Sequence, residues 1–383
     1  MFTVGLFALA ACQAYDFEAV ETSLFLQTQA SSEIGARPLP PHLMLLLDKS
    51  GSMNEPGSCD SPPCPARIDE LRNAMVAFLG ESLQISEEDP RPLGKFGLTL
   101  FPADGDEACA PAKQVQVEFA NSDEDAALKA KIEEVRSYIS QNLHKDSPKV
   151  AGGTPTGASL EYLRDHVPAL QPPPPGKLPR ENFILLLTDG LPNCNDANKQ
   201  NDCPKPNECL CTDSDRCKAK SDCDPNCLDK DAPIEVIQAL KQRGTQTIVI
   251  GFGANMSGGL AGETLNAMAT AGGDMRGCGG KPNCTAYFPA ADQKGLLEAL
   301  RKISALIVPQ PCVYALKEAP ASPKLLMVEV NGKRVSPGKD TYAYNADDKA
   351  IVFAKDGELC KLLETSSPQA PVQMRIAWLK TDI

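Results

Sequence analysis

Two uninterrupted apolar runs, Leu43-Met-Leu-Leu-Leu47 and Phe183-Ile-Leu-Leu-Leu187, restrict the fold of this chain more than any other feature. A strand with one wet face alternates apolar and polar residues, whereas a short strand that is apolar throughout is covered on both faces, as in parallel sheets flanked by helices. The segments between the runs supply those helices. Arg67 to Leu79 carries Ile68, Leu71, Met75, Phe78 and Leu79 at helical spacing, and further helices are expected at Glu124 to Ile139, Thr156 to His166, Ile234 to Gln242, Leu260 to Ala269 and Asp292 to Ile307. Additional strands are expected at Phe96 to Phe101, Thr247 to Ile250 and Ala286 to Phe288, with Val115 to Phe119 as an edge strand. This alternation specifies an α/β fold, a doubly wound and mostly parallel sheet with helices on both faces.

A chain of 383 residues exceeds the size at which one core keeps growing, so a second unit is expected. After Pro309-Gln-Pro311 the pattern changes to short strands, at Leu325 to Val330, Tyr342 to Tyr344, Ile351 to Phe353 and Val372 to Trp378. Asn331-Gly332 is a hairpin turn signal among them. The expected organisation is residues 1–11 as a signal peptide, 12–40 as a linker, 41–308 as the α/β domain with a cysteine-rich insertion at 191–231, and 309–383 as a small β-rich domain.

The chemistry-bearing residues sit where the apolar strands end. Asp48-Lys-Ser50-Gly-Ser52 follows the first strand, and in an extended turn residues at i, i+2 and i+4 point to one side, so a carboxylate and two hydroxyls converge. The second run ends in Thr188-Asp189-Gly190, at the same carboxyl edge, where open α/β sheets bind their ligands. Gly152-Gly-Thr154-Pro-Thr156 adds a hydroxyl on a glycine-flanked loop ahead of a helix; it lacks the lysine of a phosphate loop. Oxygen donors gathered in this way suit a hard cation such as Mg²⁺. Asp48-x-Ser50-x-Ser52 alone would be no more than a helix cap; with Thr154 and Asp189 in this order it becomes a candidate metal site.

These five positions resemble the metal-ion-dependent adhesion site (MIDAS) of von Willebrand factor A domains, and the resemblance covers roughly residues 41 to 308. It implies that Ser50 and Ser52 ligate the metal (Mg²⁺, or Mn²⁺ or Ca²⁺) directly, Thr154 directly or through water, and Asp48 and Asp189 largely through water. It also implies a protein partner that contributes a Glu or Asp to an open coordination position; no enzyme is expected, because the sequence offers no obvious general base beside the ion. A formal net charge of −12 opposes nucleic-acid or anionic-membrane binding, which needs clustered Lys and Arg.

Fifteen cysteines in polar, loop-like segments point to an oxidising compartment. Cys203, Cys209, Cys211, Cys217, Cys223 and Cys227 lack the tight pairing of a zinc site, and His42, His144 and His166 lie outside the cluster, so disulfides are expected. Close spacing pairs Cys59 with Cys64 and Cys278 with Cys284; Cys312 and Cys360 bracket the β-rich region and could staple it. Cys109 joins the seven cysteines of 194–227 in a set of eight with undetermined connectivity. The same insertion is rich in Asp and emerges at the metal-bearing face.

Phe2 to Ala11 is an apolar run too short to span a bilayer. Leu9-Ala10-Ala11-Cys12 resembles a bacterial lipobox, which implies a lipid anchor at Cys12 in the cell envelope, although no Lys or Arg precedes the apolar run. Setting Cys12 aside for acylation leaves fourteen cysteines, an even number. Two readings compete with partner binding: a metal-dependent hydrolase, for which no general base is evident, and an envelope component whose cation stabilises the fold.

Overall fold

The computed structural model describes residues 31–379 except 34–35, 60–61, 88–89, 106, 146, 148, 174–179, 196–226, 257, 280, 282–283, 308–311, 317–318, 321 and 365–371. The expected signal peptide, the lipidation site Cys12, most of the 12–40 linker and most of the cysteine-rich insertion lie outside the described residues. None of the described helices is long and apolar enough to cross a membrane.

The chain divides into two units. The larger, Pro38–Tyr314, is built on a parallel sheet of β3 (His42–Asp48), β4 (Lys95–Phe101), β5 (Asn182–Thr188), β6 (Thr245–Phe252) and β7 (Phe288–Ala290), in the order β4-β3-β5-β6-β7. The apolar runs are its centre: β3 pairs with both neighbours in register, Leu45 opposite Leu98 and Leu185, and every residue from Leu43 to Asp48 is buried. Alternating side chains feed two cores. Leu43, Leu45 and Leu47 meet α1 (Arg67–Glu81), α2 (Asp125–Asn142) and α6 (Gln293–Leu306). Met44 and Leu46 meet α3 (Thr156–His166), α4 (Asp231–Gln242) and α5 (Gly259–Gly272). Helices therefore cover both faces, a doubly wound α/β fold of the von Willebrand factor A or Rossmann-like kind. The contact of α5 with β6 is close: a Cβ on Gly272 would stand 2.1 Å from the carbonyl oxygen of Thr247, so only glycine fits there.

The expected edge strand at Val115 to Phe119 reduces to a single antiparallel bridge, Leu98 to Val117. One residue pair further along, the Leu100 N–H is taken by the side-chain oxygen of Gln116, 2.8 Å away, so the ladder stops.

The second unit takes its described residues from 31–37 and 315–379. One of its sheets runs β1-β13-β9-β10, from β1 (Ser31–Glu33), β13 (Met374–Leu379), β9 (Leu326–Val330) and β10 (Lys333–Val335). The other runs β11-β12-β8-β2, from β11 (Tyr342–Asn345), β12 (Ala350–Phe353), β8 (Val313–Leu316) and β2 (Ala36–Pro38), of which β8 and β2 extend past the unit's bounds by two residues and one. Asn331 and Gly332, at φ of 50° and 74°, make the hairpin between β9 and β10. Residues 31–33 and 36–38 are therefore paired strand rather than linker: Ser31, Ser32 and Glu33 align with Leu379, Trp378 and Ala377. Three-residue strands carry no sequence period, and the partners of β1 stand more than 300 residues away, so pairing that the sequence pattern does not encode decides their state. A short helix, α7 (Glu358–Glu364), also stands where no helix was expected, too short to show a period.

Candidate metal centre

The site is assembled at the carboxyl edge of the parallel sheet. β3 ends at Asp48, which is fully buried and holds the turn that follows: Oδ1 accepts the Ser50 N–H at 2.8 Å and Oδ2 accepts the Thr188 hydroxyl at 2.6 Å. That second bond ties the end of β3 to the end of β5. Gly51–Asn54 then forms a 3₁₀ turn, which brings the Ser50 and Ser52 hydroxyl oxygens to 3.1 Å. Ser52 donates to Asp189 Oδ1 at 2.7 Å, so Asp48, Ser50, Ser52 and Asp189 form one continuous hydrogen-bonded group.

Thr154 reaches the group on the loop before α3. Gly152 has φ of +92°, and a Cβ there would meet the Ala108 carbonyl oxygen at 2.8 Å; glycine is needed on both counts. The loop is held by the Gly51 N–H to the Gly152 carbonyl at 2.9 Å, the Gly153 N–H to the Ala108 carbonyl at 2.7 Å, and the Thr154 N–H to Asn193 Oδ1 at 2.7 Å. A Cβ built on Gly190 would stand 3.5 Å from Thr154 Oγ1 and 3.8 Å from Ser52 Oγ, so both hydroxyls gather around the space this glycine leaves open. All five expected positions thus converge.

The electrostatics fit a cation. Burial pushes the Asp48 carboxyl above the usual carboxylate range, with Asp189 as a second cause. Asp189 is likewise raised by burial, while its bonds to Arg67 and Ser52 work the other way. Two buried carboxylates facing hydroxyls, with no sulfur or imidazole among them, are a donor set for a hard divalent ion. Arg67, the first residue of α1, was not singled out from sequence. Its Nη1 lies 2.9 Å from Asp189 Oδ2, a contact across 122 positions that no local pattern signals. Thr188, the last residue of β5, and Asn193, in the loop beyond it, were also missed as supports; their roles are visible in sequence only once the fold is known.

Disulfides close loops among the described residues. Cys59 is bonded to Cys64 and Cys278 to Cys284. Cys109 is bonded to Cys194, which joins the loop after β4 to the root of the insertion after β5. At that root the backbones of Cys194 and Cys227 form an isolated parallel β-bridge and the Asp229 N–H reaches the Pro192 carbonyl at 2.8 Å, so the two ends of the insertion meet beside Asn193. Cys227, Cys312 and Cys360 are each disulfide-bonded as well. The three histidines stand apart from the site: His42 opens β3 at the opposite edge, and His144 and His166 are exposed.

No family model matches the sequence, and no curated protein does. Solved structures resemble it at low identity. Proximal thread matrix protein 1 from the mussel byssus, described with a zinc-occupied MIDAS motif, shares 16% identity at a TM-score of 0.38, over 71% of this chain and 47% of that one. The pilus adhesin SpaC of Lactobacillus rhamnosus GG shares 15% at 0.44, over 92% and 42%, in an open conformation. BatB, a conserved hypothetical protein of Bacteroides thetaiotaomicron, shares 14% at 0.33, over 69% and 99%. This chain spans about half the length of the mussel protein. At such TM-scores the likenesses carry no inference about this chain, and the fold stated above rests on its own strand order and pairing.

Proposed function

We propose that this chain is an exported, lipid-anchored, von Willebrand factor A-like protein that docks a protein partner through a divalent cation, Mg²⁺ in the first instance, held by Asp48, Ser50, Ser52, Thr154 and Asp189. The observation that carries this reading is the convergence of two buried carboxylates and three hydroxyls at the carboxyl edge of the sheet, tied together by the Ser52–Asp189 and Asp48–Thr188 bonds. When bound, the ion would supply an electrophilic centre for an incoming Glu or Asp. The chain's own residues set up that contact. Thr188 and the Ser50 N–H fix the Asp48 carboxylate, while Arg67 neutralises part of the Asp189 charge, so the site retains appetite for a further anion. Arg67 is also the departure from an all-oxygen site, and it limits how much charge Asp189 can offer a cation.

We read the site as non-catalytic because its polar groups are already engaged as candidate ligands or as supports to them, and the histidines stand elsewhere. Disulfides among the described residues support an oxidising compartment. Anchoring at Cys12 follows from the lipobox resemblance alone. The experiment is affinity capture from a native envelope extract with the full chain, in Mg²⁺ and in EDTA, beside Asp48→Ala. Partner recovery that needs both the metal and Asp48 supports docking; recovery indifferent to both sinks it. A mature chain whose mass shows no acyl group on Cys12 removes the anchor from the proposal.

A further inference from the structure

Beside the metal centre lies a cavity of about 210 Å³ that the five-residue site does not use. Among the described residues its wall contains Lys49, Lys113 and Lys149 and a single carboxylate, Asp104, an excess of two positive charges by count, 3 − 1, in a chain of net charge −12. Lys49 is the built part. It stands between Asp48 and Ser50 in sequence and is 3% exposed, and its ammonium donates to Asp104 Oδ1 at 2.8 Å and to the Lys149 carbonyl at 2.6 Å. Among the described residues these are two of its three N–H bonds, which leaves one for an occupant. Gln116 gives its side-chain oxygen to the Leu100 N–H at 2.8 Å, which leaves its NH₂ group as another donor in the wall. Lys113 and Lys149 are exposed at the rim; the Glu107 carboxylate, 4.0 Å from Lys113, joins two largely solvated side chains and offsets little.

We infer that this cavity is a second carboxylate-binding subsite, which takes an acidic side chain of the same protein segment whose first carboxylate meets the metal. The inference rests on the docking function proposed above and names the chemistry of its partner: an extended segment with acidic residues at alternate positions. Size supports a side chain rather than a metabolite, because small-molecule pockets usually occupy about 300–1,000 Å³. Position supports the spacing. Leu100, Ala103 and Asp104 line the cavity at the end of β4, and Asp48 aligns with Phe101 of that strand, so the two subsites are offset by about one strand separation, roughly 4.8 Å, plus the reach of the side chains. Alternate residues of an extended chain stand about 6.7 Å apart on one face, the same scale. The segment 149–154 links the two places directly, since Lys149 lines the cavity and Thr154 lies at the metal centre.

The test uses the full chain and two synthetic peptides, one with glutamates at alternate positions and one with the second glutamate replaced by glutamine. Affinities are measured in Mg²⁺ and in EDTA, for the wild type and for the double variant Lys113→Gln with Lys149→Gln. Both replaced side chains are exposed, so folding is preserved. The second glutamate is expected to tighten binding to the wild type about fivefold to tenfold, and that ratio is expected to fall towards one in the double variant. A ratio near one in the wild type, or a ratio unchanged in the double variant, overturns the subsite whether or not the single glutamate binds in a Mg²⁺-dependent manner. A lysine-dependent ratio that persists undiminished in EDTA supports the subsite and counts against the metal contact, which separates the two proposals.

Discussion

The Nη1 atom of Arg67 lies 2.9 Å from Oδ2 of Asp189, and both side chains are largely withdrawn from water, at 14% and 0% exposure. A guanidinium there competes with a divalent cation for the same carboxylate. Its removal in Arg67→Gln is expected to strengthen Mg²⁺ affinity about tenfold, equivalent to 1.4 kcal/mol at roughly the effective dielectric of a partly buried pair, while lowering the melting temperature measured in EDTA. Calorimetric titration with Mg²⁺ reads the first effect and thermal melts the second; an affinity that falls would show that Arg67 holds the site together rather than tempering it.

Asp48 and Asp189 are both raised by burial, so the folded domain without an ion carries a carboxylate pair that water does not stabilise. Asp48→Asn is expected to raise the melting temperature in EDTA, because the Thr188 hydroxyl can turn its proton to the Gly190 carbonyl, 3.0 Å away, and accept from the new amide. The same variant should lose the Mg²⁺-induced rise in stability, which in the wild type amounts to about 2.7 kcal/mol when the ion is present at 100 times its Kd. Melts with and without 10-fold steps of Mg²⁺, on the order of the concentrations that bracket Kd, give both signs in one series.

The structure was legible where pattern and burial coincide. Leu43 to Leu47 and Phe183 to Leu187 announced the central strands, and Thr156 to His166 matched α3 at both ends. Asp48, Ser50, Ser52, Thr154 and Asp189 could be grouped because parallel strands deliver their carboxyl ends to one edge. What could not be read depended on distant partners: Arg67 on Asp189, β1 on β13, and Cys109 on Cys194. Spacing within a segment carries no record of which loop it will meet.

The Cys109–Cys194 bond closes a loop of 85 residues that contains the Thr154 segment. Cys109→Ser together with Cys194→Ser is expected to cost about 2–4 kcal/mol of stability and to weaken Mg²⁺ binding, since Asn193, next to Cys194, holds the Thr154 N–H. Chemical denaturation measures the first and metal titration the second; unaltered metal affinity would place Thr154 under the control of α3 alone.

His42 is pushed down to about 3, chiefly by burial and then by Arg180. Its folded value is below its unfolded one, so the unfolded chain binds the proton first and stability falls as pH drops from about 6.5 towards 3, by about 4 kcal/mol. His42→Gln retains a donor for Asn182, which lies 2.8 Å from Nδ1, and is expected to flatten this part of the profile in denaturation measured between pH 7 and 4.

Glu70 gives the opposite slope. Its buried Oε2 has no partner among the described residues, and burial, with Asp292 adding and Arg67 opposing, raises the carboxyl to about 7. The folded state holds this proton more tightly than the unfolded one, so the contribution is fully present below about 4.5 and is lost as pH rises through 7. Glu70→Gln is expected to stabilise the domain by about 2 kcal/mol at pH 8 and by little at pH 5; equal gains at both would assign the effect to packing.

The pairing of Ser31–Glu33 with Met374–Leu379 sets a timetable for biosynthesis. Because β13 lies between β1 and β9, those two strands wait with open edges until residues 374–379 have been translated, whereas Pro38–Tyr314 holds every strand of the parallel sheet well before then. A ribosome that stalls ahead of residue 374 would release a chain with a finished cation site and an unfinished β-unit, a natural substrate for chaperones and proteases that patrol exposed strand edges.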